Sequence, residues 1–305
     1  MHKPVLFDEV IQGLAIRPDG VYIDGTFGRG GHSFGLLQRL GASGRLMAMD
    51  KDPEAIVIGN KDPFCDSRFS IVHDTFGNIG KAVKDCGWHG KVNGILLDLG
   101  VSSPQLDDAK RGFSFKKDGP LDMRMNPKQI LDAATWINQA QESEIRRVLW
   151  NYGEERYAKR IASAIVKERE EKPILSTFQL SEVVKKAIPR REIKKHPATR
   201  TFQAVRIFIN HELEELQNCL PQGLEALVKG GRLCVISFHS LEDRIVKQFI
   251  QKESCDLFPR EIPILWSEIK HRLKKIGALI RPSEAKIRKN PRARSARLRI
   301  VEKLT

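Results

Sequence analysis

The stretch that decides the fold covers residues 21–32 and reads VYIDGTFGRGGH. An apolar, β-branched run ends in Asp24, passes through a glycine-rich turn and opens into the apolar residues 33–37. This pattern predicts a strand, a tight turn and a helix. Glycines in the turn permit positive φ angles and a close approach of a ligand, and the free N–H groups of the helix point at the turn. The sequence therefore predicts a site for a nucleotide-like or zwitterionic cofactor.

The acids at the ends of the first two strands indicate which cofactor binds. The order Asp-Gly-Thr-x-Gly-x-Gly-Gly differs from the Gly-x-Gly-x-x-Gly fingerprint of dinucleotide-binding folds, and a P-loop sequence is absent. Asp24 would repel a pyrophosphate but suits the α-ammonium of S-adenosylmethionine, directly or through water. Asp50 ends the second apolar run, a position from which acids bind ribose hydroxyls. Tight packing alone can also explain such a turn, but two acids in these positions favour S-adenosylmethionine.

The composition is that of a globular chain with an excess of positive charge. The 305 residues are 41% hydrophobic and carry a formal net charge of +14. The sequence has neither a run near the roughly 20 apolar residues of a membrane span nor a signal-peptide core, so we expect a cytoplasmic protein without a membrane partner. Lys and Arg are concentrated in residues 185–206 and 270–303. Such clusters favour a nucleic acid partner, with a solvated basic face as the alternative.

The cysteines and histidines predict no disulfide framework and no metal site. Five cysteines are scattered without a Cys-x-x-Cys pair, and the histidines lack metal-ligand spacing with acids or cysteines.

Strand and helix patterns alternate over the first hundred residues. Four predicted strands separated by helical patterns are typical of a doubly wound parallel sheet, an α/β fold whose strand ends face one crevice. Helical periodicity without a strand pattern then extends over residues 131–216, and the sheet pattern resumes near residue 228. We therefore predict a sheet domain formed by residues 1–106 and 217–305. An all-α domain, residues 107–216, is inserted after the fourth strand.

The acid at the end of the fourth strand is the predicted catalytic group. The exocyclic amine of cytosine or adenine is a poor nucleophile because its lone pair is delocalised into the ring. A group that accepts its N–H bonds favours the pyramidal nitrogen of the transition state. Asp98 and the loop through Ser102 and Ser103 offer such acceptors. Phe113 is a candidate to stack on an unstacked base, with core packing as the alternative, and His239 could contact the substrate or anchor the following helix.

Several long motifs carry a resemblance to a known family. They lie at residues 24–32, 97–107, 111–115, 121–125, 153–156, 196–204, 237–244 and 290–296. On these motifs the chain resembles the bacterial ribosomal RNA small-subunit methyltransferase H family, also called MraW, from about residue 2 to 302. The resemblance implies a class I S-adenosylmethionine-dependent methyltransferase, with a Rossmann-like sheet and an α-helical substrate-recognition domain inserted after the fourth strand.

The resemblance also implies a reaction, a partner and a set of contacts. The family methylates the exocyclic N4 of one decoding-centre cytidine in 16S ribosomal RNA, a component of the small ribosomal subunit. Cofactor contacts are implied at Gly30, Gly31, His32, Asp50, Phe76, Asp98 and Gln105. Together with our own interpretation of the loops and basic clusters, substrate contacts are expected at Arg111, Phe113, Arg200 and His239.

Two other functions stay open at this stage. The first is an RNA-binding ribosome-assembly factor with a vestigial cofactor site, against which the intact acids at residues 24, 50 and 98 argue. The second is an amino-methyltransferase that acts on another nucleic acid or on a protein, which the basic clusters do not exclude. Both a monomer and a homodimer are compatible with the sequence.

Overall fold

The structure is a computed structural model that describes residues 4–189, 196–254 and 271–305. The chain folds into two compact units. The first unit is formed by Met1–Gly100 and Leu213–Thr305, and the second by Val101–Glu212. The boundaries predicted from the sequence lie a few residues further along the chain, and the division of functions between the two domains stays a prediction.

The first unit is built on one seven-stranded sheet with the strand order β3-β2-β1-β4-β5-β7-β6. Strands β1 to β5 are parallel to one another, whereas β7 is antiparallel to β5 and to β6. This order, with β7 reversed, is that of the class I methyltransferase sheet, so the predicted fold class is confirmed. The strands are β1 (Val21–Asp24), β2 (Arg45–Asp50), β3 (Phe69–His73), β4 (Val92–Asp98), β5 (Leu227–Ser237), β6 (Leu273–Lys275) and β7 (Arg297–Lys303).

Helices cover both faces of this sheet. They are α1 (Phe7–Leu14), α2 (Gly31–Leu37), α3 (Pro53–Gly59), α4 (Ile79–Asp85), α11 (Glu212–Ala226), α12 (Ser240–Ser254) and α13 (Glu284–Lys289). Alternate strand residues face opposite layers: Tyr22 packs with α1, α2 and α3, while Ile23 packs with α4, α11 and α12. A parallel sheet buried on both faces explains why its strands are nearly continuous apolar runs.

The second unit is helical, as the periodicity of its sequence predicts. Its helices are α5 (Ser103–Asp107), α6 (Ala133–Gln139), α7 (Glu142–Gly153), α8 (Ala158–Glu171), α9 (Thr177–Ala187) and α10 (Thr199–Asn210). In α7, Ile145, Val148 and Leu149 are buried, which is the spacing of one helical face. Among helices in the described parts of the chain, none is both long and apolar enough to cross a membrane.

Candidate cofactor and active site

The turns that follow β1, β2 and β4 are joined at the carboxyl edge of the sheet. The N–H of Gly25 donates to the carbonyl of Leu96 at 2.9 Å, and the N–H of Phe27 donates to the carbonyl of Met49 at 3.0 Å. The glycine-rich turn is therefore fastened to the strands on both of its sides. Asp24, Asp50 and Asp98 are the last residues of these three strands and share this edge.

Asp24 joins the glycine-rich turn to helix α2. Its side chain is only 1% exposed; Oδ1 accepts the N–H of Thr26 at 3.1 Å and Oδ2 accepts the hydroxyl of Ser33 at 2.7 Å. Burial raises the pKa of Asp24, and the hydrogen bond from Ser33 opposes the increase. Both oxygens are used inside the turn, so the first effect of this carboxylate is to fix the conformation of the turn.

Asp50 has a similar role at the end of β2. Its Oδ2 accepts the N–H of Gly28 at 2.7 Å, and its Oδ1 accepts the N–H of Asp52 at 2.9 Å. Burial raises the pKa of Asp50. The predicted role on ribose hydroxyls therefore rests on the second lone pair of each oxygen. Asp52 caps the next helix, because its side chain accepts the N–H of Glu54 at 3.0 Å and Pro53 begins α3.

Gly30 is required by packing as well as by backbone conformation. Its φ of 73° lies in the left-handed region, and a Cβ there would lie 2.3 Å from the ring of Phe64. The space beside the Gly30 Cα is therefore filled by an aromatic ring, and the predicted contact of Gly30 with the cofactor stays a prediction. Gly31 is the first residue of α2, which begins two residues earlier than the apolar pattern indicates.

His32 and Asp98 carry polar atoms without partners. The His32 ring is buried, stacks on Phe7 with ring centres 5.9 Å apart, and places Nε2 3.5 Å from Oδ2 of Asp98. Within the described residues, no hydrogen bond reaches either ring nitrogen of His32 or Oδ1 of Asp98. Buried polar atoms normally have partners. These three atoms fit a ligand with donors and acceptors, such as the amino-acid and ribose groups of S-adenosylmethionine.

Phe76 follows β3 and is held in place by a helix that the sequence does not connect with the site. Phe76 begins a short 3-10 turn, and the side chain of Gln222 on α11 binds this region twice. Its Oε1 accepts the N–H of Gly80 at 2.9 Å, and its Nε2 donates to the carbonyl of Gly77 at 2.8 Å. Gln222 lies far from residue 76 in the sequence, where no motif marks it.

The same helix also supports the turn after β2. The ammonium of Lys51 lies 2.9 Å from a carboxylate oxygen of Glu215, and both side chains are largely buried. Helix α11 therefore fixes two of the turns that carry candidate cofactor contacts.

His239 lies in the turn between β5 and α12, where the contacts agree with an anchoring role. The buried carboxylate of Glu242 accepts the N–H of Phe238 at 2.7 Å and the N–H of His239 at 3.2 Å. Nε2 of His239 is 3.1 Å from Oε1 of the same carboxylate. Of the two interpretations left open by the sequence, these contacts support the one in which His239 anchors the helix.

Candidates in the second unit have structural tasks of their own. Ser102 is the N-cap of α5: its hydroxyl accepts the N–H of Gln105, and Oε1 of Gln105 accepts the N–H of Ser102 at 2.9 Å. Ser103 is the first residue of this helix. This capping box uses the Ser102 hydroxyl and the Gln105 amide oxygen at the start of the helix. The roles predicted for Ser102 and Ser103 in catalysis and for Gln105 at the cofactor stay predictions.

Phe113 and Arg111 are also engaged within the second unit. Phe113 is 6% exposed in the hydrophobic core of this unit, so it offers no face to a base, and its predicted stacking role is wrong. Nη2 of Arg111 donates to the carbonyls of Arg124 at 3.2 Å and Met125 at 2.9 Å, which ties that guanidinium to the backbone. Arg200 lies half-buried in the first turn of α10, and its predicted contact with phosphate stays a prediction.

A family model and two full-length relatives identify one family. A family model described as the MraW methylase family matches residues 1–304. A ribosomal RNA small subunit methyltransferase H of Coxiella burnetii (strain RSA 331 / Henzerling II) is 77% identical over 304 residues, covering 100% of this chain and 99% of the relative. A protein of the same name from Nitrosococcus oceani is 56% identical over 306 residues, covering 100% of this chain and 97% of the relative. A solved structure, a putative rRNA-methylase from Clostridium thermocellum, is 12% identical with a TM-score of 0.47, covering 100% of this chain and 98% of that one.

Proposed function

The chain belongs to the MraW methylase family and is an S-adenosylmethionine-dependent methyltransferase, and from this premise we propose its substrate. The substrate is 16S ribosomal RNA of the small ribosomal subunit. The name of its relatives, ribosomal RNA small subunit methyltransferase H, supports this proposal. The acceptor atom is the exocyclic N4 of a decoding-centre cytidine. The second unit recognises the RNA, and the reaction takes place in the cytoplasm.

The observation that carries this proposal is the pair formed by His32 and Asp98 at the end of β4. The atoms of this pair that lack hydrogen bonds within the described residues lie at the carboxyl edge of the sheet. The glycine-rich turn, Asp50 and Phe76 lie at the same edge. S-adenosylmethionine would be held by Asp24 and Asp50 together with His32 and by contacts with the backbone at Gly31. Phe76 would lie against its adenine. When bound there, the cofactor supplies an electrophilic methyl group on a sulfonium.

Asp98 is the group we assign to the acceptor amine. Its Oδ1 has no hydrogen bond within the described residues, and its backbone N–H is fixed by the hydroxyl oxygen of Thr26 at 2.6 Å. A carboxylate that accepts an N–H of the cytosine amine draws the nitrogen lone pair out of the ring and favours attack. The nitrogen must lose one proton when it gains a methyl group, and Oδ1 of Asp98 can accept that proton.

The experiment combines purified protein, methyl-labelled S-adenosylmethionine and small ribosomal subunits from cells that lack the enzyme. The RNA is digested to nucleosides, which are separated and identified by mass spectrometry. We expect an N4-methylated cytidine that is absent with the Asp98→Ala variant. Label in another nucleoside or in a ribosomal protein would overturn the proposed substrate, and a failure to bind the cofactor would favour an assembly factor with a vestigial site.

A further inference from the structure

Helix α7 presents an exposed face that combines a tryptophan with arginines. Its opposite face is buried in the core of the second unit. Trp150 is 62% exposed, although tryptophan is a residue that folding normally buries to a large extent. Arg146 and Arg147 are exposed and precede Trp150 by four and three residues. At that spacing the three side chains lie next to one another on the helix surface.

The positive charges of this face have no partners among the residues that the structure describes. Among the described residues, neither Arg146 nor Arg147 forms a hydrogen bond or an ion pair. The same holds for the three exposed cations at the start of the next helix, Arg156, Lys159 and Arg160. The neighbouring acid Glu155 is 2% exposed and accepts the N–H of Tyr157 at 3.0 Å, so its carboxylate is directed into the unit. The exposed acids of this segment are Glu142 and Glu154, so its five exposed cations outnumber them and the surface is net positive.

We propose that this basic aromatic face, formed by Arg146, Arg147, Trp150, Arg156, Lys159 and Arg160, binds an unpaired stretch of the substrate RNA. The proposal rests on the proposed function, because it gives the RNA substrate a second contact region outside the methyl-transfer site. An exposed aromatic ring stacks on unpaired bases of any sequence, and adjacent cations bind the phosphates on either side. Arg146 and Arg147 are placed to hold the backbone of a nucleotide whose base stacks on Trp150.

A second exposed aromatic residue in this unit lies beside a negative charge, and the comparison shows why the charges around Trp150 favour a phosphate-bearing partner. Phe178 on α9 is 55% exposed, but its N–H donates to the carboxylate of Asp118 at 3.0 Å. The hydrogen bonds that Asp118 accepts, first from Phe178 and Ser176, lower its pKa, so its negative charge persists beside this ring. A phosphate backbone would be repelled there. Both Phe178 and Trp150 are exposed aromatic residues. Only Trp150, of these two, lies beside cations that have no partners among the described residues.

The test measures binding of a fluorescently labelled single-stranded RNA oligonucleotide, and of its duplex, by the full chain. For Trp150→Ala we expect a loss of about 5- to 100-fold in affinity for the single strand, the usual effect of removing one stacking ring. The duplex, whose bases are already stacked, should lose much less. Trp150→Phe should retain most of the affinity, and the matched control Phe178→Ala should retain all of it.

Salt dependence gives an independent readout for the two arginines. Removing two phosphate contacts in Arg146→Gln/Arg147→Gln should reduce the slope of log affinity against log salt by about 1.4, at about 0.7 per contact on a single strand. Lys81→Gln/Lys84→Gln on α4, an exposed pair in the first unit, is the matched control and should leave the slope unchanged. Thermal unfolding and S-adenosylmethionine binding should match the wild type in all of these variants.

The outcomes separate this surface from the methyl-transfer function. If the wild type methylates ribosomal RNA while Trp150→Ala binds the single strand as tightly as the wild type, the surface proposal is overturned and the function stands. If the variants weaken binding to small subunits but not to free RNA, the partner is a ribosomal protein and the proposal is equally overturned. If the wild type methylates no RNA, the proposed function fails whatever the variants bind.

Discussion

Asp24 and Asp98 end neighbouring strands of one sheet, yet the structure uses their carboxylates in opposite ways. Strands β1 and β4 are hydrogen-bonded to each other, so both acids lie at the same edge. The Asp24 oxygens are occupied by Thr26 and Ser33, whereas Oδ1 of Asp98 has no hydrogen bond within the described residues. An acid whose oxygens are occupied by its own turn holds the turn together. An acid with an open oxygen is available to a ligand.

The difference predicts opposite consequences for substitution. Changing Asp24 should affect stability, and changing Asp98 should affect chemistry. The same distinction separates Asp50, which holds the tip of the glycine-rich turn through Gly28, from His32, whose ring nitrogens are unpaired. Each prediction below tests one side of this division.

The largest effect is expected for Asp98→Ala. Loss of an acceptor that binds the reacting group in the transition state typically reduces the rate about 10²- to 10³-fold. We expect that reduction in methyl transfer to small subunits, measured by incorporation of labelled methyl groups. The urea midpoint should change little, because Oδ1 of Asp98 forms no hydrogen bond within the described residues and Oδ2 lies at a long 3.5 Å from Nε2 of His32. Full activity in this variant would show that the open oxygen is not part of the reaction.

Asp24→Ala should instead lower the free energy of unfolding. The change leaves the N–H of Thr26 and the buried hydroxyl of Ser33 without their partner. Unsatisfied buried groups cost about 1–3 kcal/mol, partly offset because a buried carboxylate is no longer desolvated. Urea unfolding at pH 7 measures the loss, and Ser33→Ala, which removes only one of the two bonds, should show a smaller one. Unchanged stability in Asp24→Ala would remove the distinction between the two acids.

The sheet was the most predictable part of the fold because a parallel strand buried on both faces has a strong local pattern. Asp24, Asp50 and Asp98, each predicted to end a strand, are the last residues of β1, β2 and β4 in the structure. Strand β6 has three residues, Leu273–Lys275, and within the described part of the chain it pairs with β7 alone. A segment this short has no period to detect, so its place depends on tertiary contacts alone.

The candidate site was predictable where a motif is local and not where distant residues meet. The glycine-rich turn and the three acids could be identified from sequence, since each acid directly follows an apolar run. The second support of the site could not: Gln222 reaches the turn after Phe76 from a helix more than a hundred residues later. Phe113 shows the reverse error, because an aromatic residue in a loop looks exposed until the core around it is known.

Gln222→Leu tests the turn at Phe76, which is held by a side chain of a distant helix. The glycine-rich turn, in contrast, is held by Asp24 from within the turn itself. Its two hydrogen bonds fix the backbone at Gly77 and Gly80, next to Phe76. Without them the ring opposite the proposed adenine site is less ordered before binding. We expect S-adenosylmethionine to bind about 10-fold more weakly, which corresponds to about 1.4 kcal/mol, as measured by isothermal titration calorimetry.

The control for this prediction is Gln217→Leu, an exposed position on the same helix. It carries the same change of side chain without contacting the turn, so cofactor affinity should be unchanged. Equal affinities in the two variants would restrict the cofactor site to residues in the strand-end turns themselves.

The smallest effect concerns pH. Burial raises the pKa of Asp24 above its ordinary value of 3.8, so the folded protein holds this proton more tightly than the unfolded chain. The stability that Asp24 contributes is therefore greatest below that value and declines as pH rises through the pKa of the folded state. Asp24→Asn keeps the shape of the side chain but cannot titrate. Relative to this variant, the wild type should lose about 1.4 kcal/mol between pH 4 and 8 for each unit of pKa increase.

Comparison with the variant removes the contributions of other acids to the same pH range. Asp66, for example, has a pKa lowered to about 2, mainly by its hydrogen bonds with Arg68. Its contribution to the free energy of unfolding therefore decreases as pH falls. That contribution is common to both proteins and cancels in the difference between their urea unfolding free energies. A difference that does not change with pH would mean that Asp24 titrates alike in the folded and unfolded states. In that case burial would not distinguish its carboxylate, and the two acids would no longer differ in kind.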